Sequence, residues 1–104
     1  MPTPNLAIDY AALADLALVA LVQGGDRSAF REITQRCNQR LFRVARGVLN
    51  DDSEAEDVVQ AAYVDAYAKL GEFRGESSLT TWLTRIVLNE AYGRLRARHP
   101  TVGV

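Results

Sequence analysis

At 104 residues and a net charge of −1, the chain is long enough for one domain and too weakly charged to coat a polyanion by bulk attraction. Its 48% hydrophobic and 24% charged residues are the proportions of a globular protein, and a domain of this size buries roughly two-thirds of its unfolded surface, enough for a core without staples. The single cysteine, Cys37, excludes an internal disulfide and points to a reducing cytoplasm.

No basic segment followed by an apolar run lies between Met1 and Asp9, so no secretion signal is expected. The charge is unevenly placed. Residues 1–71 carry seven Lys/Arg against ten Asp/Glu, whereas residues 72–104 carry five Arg against three Glu. The C-terminal third is therefore better suited to meet phosphate. Helical periodicity dominates and strand-like alternation is absent, which predicts an all-α fold, a compact bundle of about four helices. Residues 1–9 are expected to be a flexible N-terminus, 10–98 the domain, and 99–104 a tail or the start of a linker.

The first helix is predicted over Tyr10–Gln23, with Asp9 as N-cap and Gly24-Gly25 as the stop. Its only charged residue up to Val22 is Asp15, but a membrane span needs about 20 apolar residues, so burial in the domain on most sides is expected rather than membrane insertion. Asp26 is expected to cap a second helix running to about Leu49. Phe30, Ile33, Cys37, Leu41, Val44 and Val48 form its apolar stripe. Arg36, Arg40 and Arg43 share another face, which reads as solvated. After Asn50-Asp51-Asp52 a third helix begins, where Ser53-Glu54-Ala55-Glu56 has capping-box spacing. Val59, Ala62, Tyr63, Ala66 and Leu70 are its inward face, and Gly71 is its expected end. Two glycines and two serines make 71–78 a loop. Ser78 then caps a last helix, Leu79 to about Arg98, with Leu79, Leu83, Ile86, Val87 and Ala91 inward. Pro2 to Asn5 and Thr101 to Val104 read as frayed ends.

No enzyme, metal or cofactor is expected. Metal-ligand spacing and a phosphate-cradling glycine loop are absent, and the only histidine, His99, sits beside Pro100 in the tail, where it cannot activate Cys37. The acids Asp51 to Asp57 are explained by a helix start, because they lack the alternating ligands and central glycine of a calcium loop.

Two faces carry more than solubility requires. On the third helix Ser53, Asp57, Gln60, Ala61, Val64 and Ala68 follow one another outward, acidic at one end and small or apolar at the other. That mixture suits docking against partner helices. On the fourth, Arg85, Asn89, Tyr92 and Arg96 form one stripe directly after the loop. Arginine holds phosphate or reads guanine, asparagine satisfies one base edge, and tyrosine stacks, so loop and stripe suit an unstacked single strand. A solvated basic face has the same composition, and residue types alone leave both readings open.

Three ordered stretches carry a resemblance. They are Leu21-Val-Gln-Gly-Gly-Asp-Arg-Ser-Ala-Phe30, Asp51-Asp-Ser-Glu-Ala-Glu-Asp-Val-Val-Gln60 and Phe73-Arg-Gly-Glu-Ser-Ser-Leu-Thr-Thr-Trp-Leu-Thr-Arg-Ile86, followed by Asn89. Together they resemble the second conserved region of extracytoplasmic-function sigma factors of bacterial RNA polymerase, over about residues 12–98. The resemblance implies that the third helix docks on the clamp helices of the polymerase β′ subunit through Asp57 and Gln60, with Ala61 and Val64 beside them. It implies that the loop Phe73, Arg74, Gly75, Glu76, Ser77 and Ser78 captures a base flipped from the non-template strand of the promoter −10 element. Arg85 and Asn89 would contact neighbouring backbone and bases, with Tyr92 and Arg96 continuing that DNA-binding face. Trp82 is read as mainly structural. An anti-sigma factor is a further partner such a domain implies. One departure is Ala61-Ala62 after Gln60, where the family carries a polar and then a bulky residue. The family's helix-turn-helix domain for the −35 element is not within these residues. An interaction-only protein, occupying polymerase or an anti-sigma factor without reading DNA, is the alternative.

Overall fold

The computed structural model describes residues 8–98. Four helices form it: α1 (Asp15–Gln23), α2 (Arg27–Leu49), α3 (Asp52–Lys69) and α4 (Leu79–Arg98), with 3-10 turns at Tyr10–Ala12 and Leu70–Glu72. The long α2 is the centre, packing against each of the other three. The expected chain ends, His99 and Pro100 lie outside the described residues.

The first helix starts later than its composition suggests. Asp9 makes no capping bond, and the chain is extended at Leu13 before α1 begins. The turn ahead of it is held from α2. The Arg36 guanidinium donates to the carbonyls of Tyr10 (3.0 Å) and Ala11 (3.3 Å) and to the Asp15 carboxylate (3.0 Å), fixing a 3-10 turn where the composition suggests a continuous helix. Glu32, one turn earlier on α2, orients Arg36 at 3.1 Å. Arg36 is thus a clasp, whereas its composition suggested a merely solvated side chain. Burial disfavours its charge, but the bonds to Glu32 and Asp15 outweigh that and raise its pKa. Nor is α1 buried on most sides. Leu18, Val19 and Val22 enter the core, while Leu16 is 63% exposed.

Asp26 caps α2 as expected, its carboxylate accepting from the amides of Ser28 (2.9 Å) and Ala29 (3.2 Å). The buried positions are Ala29, Ile33, Cys37, Leu41, Ala45 and Leu49, at unbroken four-residue steps. Phe30, Val44 and Val48 flank that line and are only partly buried. Two alanines in it let neighbouring helices approach closely. Asn50 closes α2 in the left-handed region at φ 56°.

The cap of α3 is Asp51, not Ser53: the Asp51 side chain accepts from the Glu54 amide at 2.8 Å. The cap thus lies two residues before the capping-box spacing at Ser53, with Asp52 already helical and paired with Arg46 at 2.6 Å. Val59, Ala62, Tyr63, Ala66 and Leu70 are buried as expected, joined by Ala55 and Val58. Gly71 does not end the helix cleanly, since the chain tightens through the 3-10 turn first. Ser78 caps α4 by accepting from the Thr81 amide at 3.1 Å, and Leu79, Leu83, Val87 and Ala91 face the core. No described helix is long and apolar enough to cross a membrane.

Tyr63 links α3 to α2, its single hydroxyl proton shared between the Asn38 side-chain oxygen (2.8 Å) and the Thr34 carbonyl (3.3 Å). Burial, with Cys37 adding to it, pushes its pKa up to about 12. A phenol whose pKa is raised on folding stabilises fully below its unfolded value near 10 and loses that contribution as pH rises toward 12. Urea unfolding between pH 10 and pH 12 should therefore show the parent chain losing more stability than Tyr63→Phe. The variant itself should lose about 0.5–1.5 kcal/mol at neutral pH. Parallel losses in the two chains would remove Tyr63 from this role.

Candidate functional site

The loop between α3 and α4 is held by its neighbours. At its start the Gln23 side chain donates to the Leu70 carbonyl at 3.0 Å, and the Phe73 amide returns to the same oxygen at 3.1 Å. The Phe73 ring is buried and meets Trp82 at 5.3 Å between centroids, tilted by 55°. At Gly75 the chain adopts φ +76°, a region open to glycine and strained for other residues. A Cβ there would meet only a methyl of Leu16, at 3.9 Å, so the difficulty is conformational rather than steric. Gly75→Ala should accordingly lower stability by about 1 kcal/mol, and so the melting midpoint by about 4–8 °C. An unchanged midpoint would show that the loop relaxes freely.

These residues frame a shallow hollow lined by Glu72, Phe73, Arg74, Glu76, Ser77, Trp82 and Arg85. Of the six loop residues singled out from sequence, Arg74, Glu76 and Ser77 line it with their exposed or half-exposed side chains. Phe73 contributes a buried wall and not an open stacking ring, because the core claims it. Gly75 shapes the backbone. The Ser78 hydroxyl is committed to Thr81 and lines a separate crevice with Leu16 and Gly75. Trp82 packs on Phe73 as expected, and it also lines the hollow, a placement that periodicity did not reveal.

Arg85 joins the hollow to the stripe on α4. Asn89, Tyr92 and Arg96 continue from it, all exposed, but they are not part of the hollow. Arg74, Arg85 and Arg96 form no ion pair with any described residue, although Glu72 and Glu76 line the same hollow as Arg74 and Arg85. Arg94 and Arg98, by contrast, are tied to α3 through Asp57 (3.7 Å) and Glu54. An exposed, cationic helix face beside a small hollow can hold a phosphate chain while one planar group leaves the stack.

The second face is on α3. Asp57, Gln60, Val64 and Ala68 are exposed, Val64 by 73%, and Ala61 is half-buried. Gln60 lies between two grooves that separate α3 from α2. One is walled by Phe30, Arg31, Thr34 and Asn38, the other by Gln39, Phe42, Glu56 and Asp57. The α2 side of these grooves was missed in the sequence. Phe30, Thr34, Asn38 and Phe42 recur at four-residue steps, a line visible in hindsight beside the core stripe. Among the described residues no three His, Cys, Asp or Glu side chains come together as a metal site.

Four helices packed about α2, with an exposed face of small residues on α3 and a cationic stripe on α4 beside a hollow, define an all-α binding domain. The match to the family described as Sigma-70 region 2 covers residues 33–101, and the chain belongs to that family. It is similar to the RNA polymerase sigma-H factor of Pseudomonas aeruginosa, 40% identical over 84 residues, covering 81% of this chain and 44% of that protein. It is 37% identical over 90 residues to the ECF RNA polymerase sigma factor SigM of Mycobacterium tuberculosis, covering 85% and 46% respectively. The ECF RNA polymerase sigma-E factor of Escherichia coli is 41% identical over 87 residues, covering 83% and 44%. The chain thus spans less than half the length of these curated relatives. Among solved structures, an engineered region 2 of sigmaE in complex with GTAAAA superposes with a TM-score of 0.79 at 32% identity, covering 88% of this chain and 96% of that one.

Proposed function

We propose that this domain docks on the β′ clamp helices of bacterial RNA polymerase through α3 and recognises and melts the promoter −10 element in transcription initiation. The observation that carries this reading is the hollow, which ends at Arg85, the first member of an unpaired Arg/Asn/Tyr/Arg stripe. The hollow receives one extruded base of the non-template strand, while Arg85 holds backbone and Asn89 meets a base edge. Extruding a base costs a few kcal/mol, so the domain acts on strands that polymerase contacts hold open. It performs no chemistry itself and works in the cytoplasm, where polymerase is. Its α3 face is also where an anti-sigma factor would compete.

The likeness to an engineered region 2 of sigmaE in complex with GTAAAA supports the reading of a short sequence by this fold. Two titrations at physiological salt test it. The chain should bind random duplex more weakly than micromolar, because its net charge of −1 gives little non-specific attraction. It should bind some member of a panel of single strands, GTAAAA and its single-base variants, measurably and with base preference. Tight duplex binding, or strands bound without preference, would count against the assignment.

A further inference from the structure

The loop that frames the hollow has little structure of its own, and its two ends lean on one element. Gln23, the last residue of α1, bonds the Leu70 carbonyl where the loop begins. Leu16, in the first turn of α1, lines the crevice against Gly75, Ser77 and Ser78 where the loop ends. Leu16 is otherwise 63% exposed, so the core does not explain its large apolar side chain. The segment carrying both residues is fixed to α2 independently. Arg36 holds the Tyr10 and Ala11 carbonyls and Asp15, Glu32 holds Arg36, and the Tyr10 hydroxyl donates to Asp26 at 2.7 Å. That last bond, more than burial, raises the Tyr10 pKa.

From this we infer that residues 9–23 are a brace that sets the shape of the base-accepting loop, with Leu16 and Gln23 as positioning residues for −10 recognition. The inference rests on the proposed site. Neither side chain lines the hollow, so each acts through the loop. A rim held in place before the strand arrives avoids the ordering loss on binding, and a small cradle tolerates little displacement. Arg36 makes the brace rigid, because its clasp fastens α1 to the longest helix.

The full chain is titrated by fluorescence anisotropy with the best-bound strand of the GTAAAA panel and with the same strand made abasic at each position in turn. The parent chain should prefer the intact strand at one position. Leu16→Ala and Gln23→Ala should each reduce that preference by about fivefold, the effect of losing one neutral contact. They should leave affinity for the abasic strand, capture of a β′ clamp-helix fragment and helical circular dichroism unchanged. Amide exchange over residues 73–78 should quicken in both variants while that of α2 and α3 stays the same. A preference and exchange like the parent's in both variants would overturn the brace and leave the site intact. Equal loss for intact and abasic strands would also overturn it, showing general loosening. A parent chain indifferent to the missing base would sink the site itself, and the brace with it.

Discussion

Asn89→Ala should relax discrimination at one position of the −10 element by roughly 1–3 kcal/mol, whereas Arg85→Ala should weaken every sequence alike. Both side chains lie on the exposed stripe of α4, and neither contributes to the core, so folding should be untouched. The difference follows from chemistry. An asparagine amide presents a donor and an acceptor in fixed geometry, which one base edge satisfies and another leaves unpaired. A guanidinium without an ionic partner attracts any phosphate, and its loss should lower the salt slope by about one. The measurement is a panel of −10 variants transcribed by polymerase with the sigma factor carrying each change. Equal loss on every variant with Asn89→Ala would move base reading elsewhere, to the loop residues Arg74, Glu76 and Ser77 beside Trp82.

The second large effect belongs to α3. Asp57→Arg should weaken capture of a β′ clamp-helix fragment by about 2 kcal/mol or more, some thirtyfold, as expected when a charge is reversed inside an interface. Val64→Asp should do the same by placing a carboxylate on the apolar end of that face. Within the domain Asp57 pairs only loosely with Arg94, at 3.7 Å and in solvent, and such exposed pairs contribute about 0–1 kcal/mol. Thermal stability should therefore hardly change. Gln60→Ala should lose a smaller 0.5–1.5 kcal/mol of binding, the worth of one neutral hydrogen bond. Capture unchanged by Asp57→Arg would shift the docking surface to the neighbouring grooves, where Phe30, Asn38 and Phe42 present α2.

How legible this was differs between helices. Local rules placed α2 and α4, because their signals act within a few residues: Asp26 and Ser78 cap their own next turns, and the apolar steps repeat over five turns in α2 and three in α4. The inward residues of α3 were equally plain, while its cap was misplaced because Asp51, Asp52 and Ser53 compete and only the backbone shows which is extended. The candidate stripe on α4 could be read from spacing for the same reason, since residues on one helix face need no knowledge of the rest of the fold.

What only the tertiary structure decided depends on residues far apart in the chain. Arg36 fastens the 3-10 turn ahead of the first helix by binding carbonyls 25 and 26 residues away. Phe73 is buried against Trp82 and the core as a wall of the hollow, and Trp82 is brought to the hollow by the same packing. Gln23 meets Leu70 across 47 residues, and α2 supplies half of the grooves beside α3. Periodicity and capping report the energy of one segment with itself. Long-range hydrogen bonds and the choice of which aromatic is buried are set by competition between segments, and that competition is resolved only when they pack.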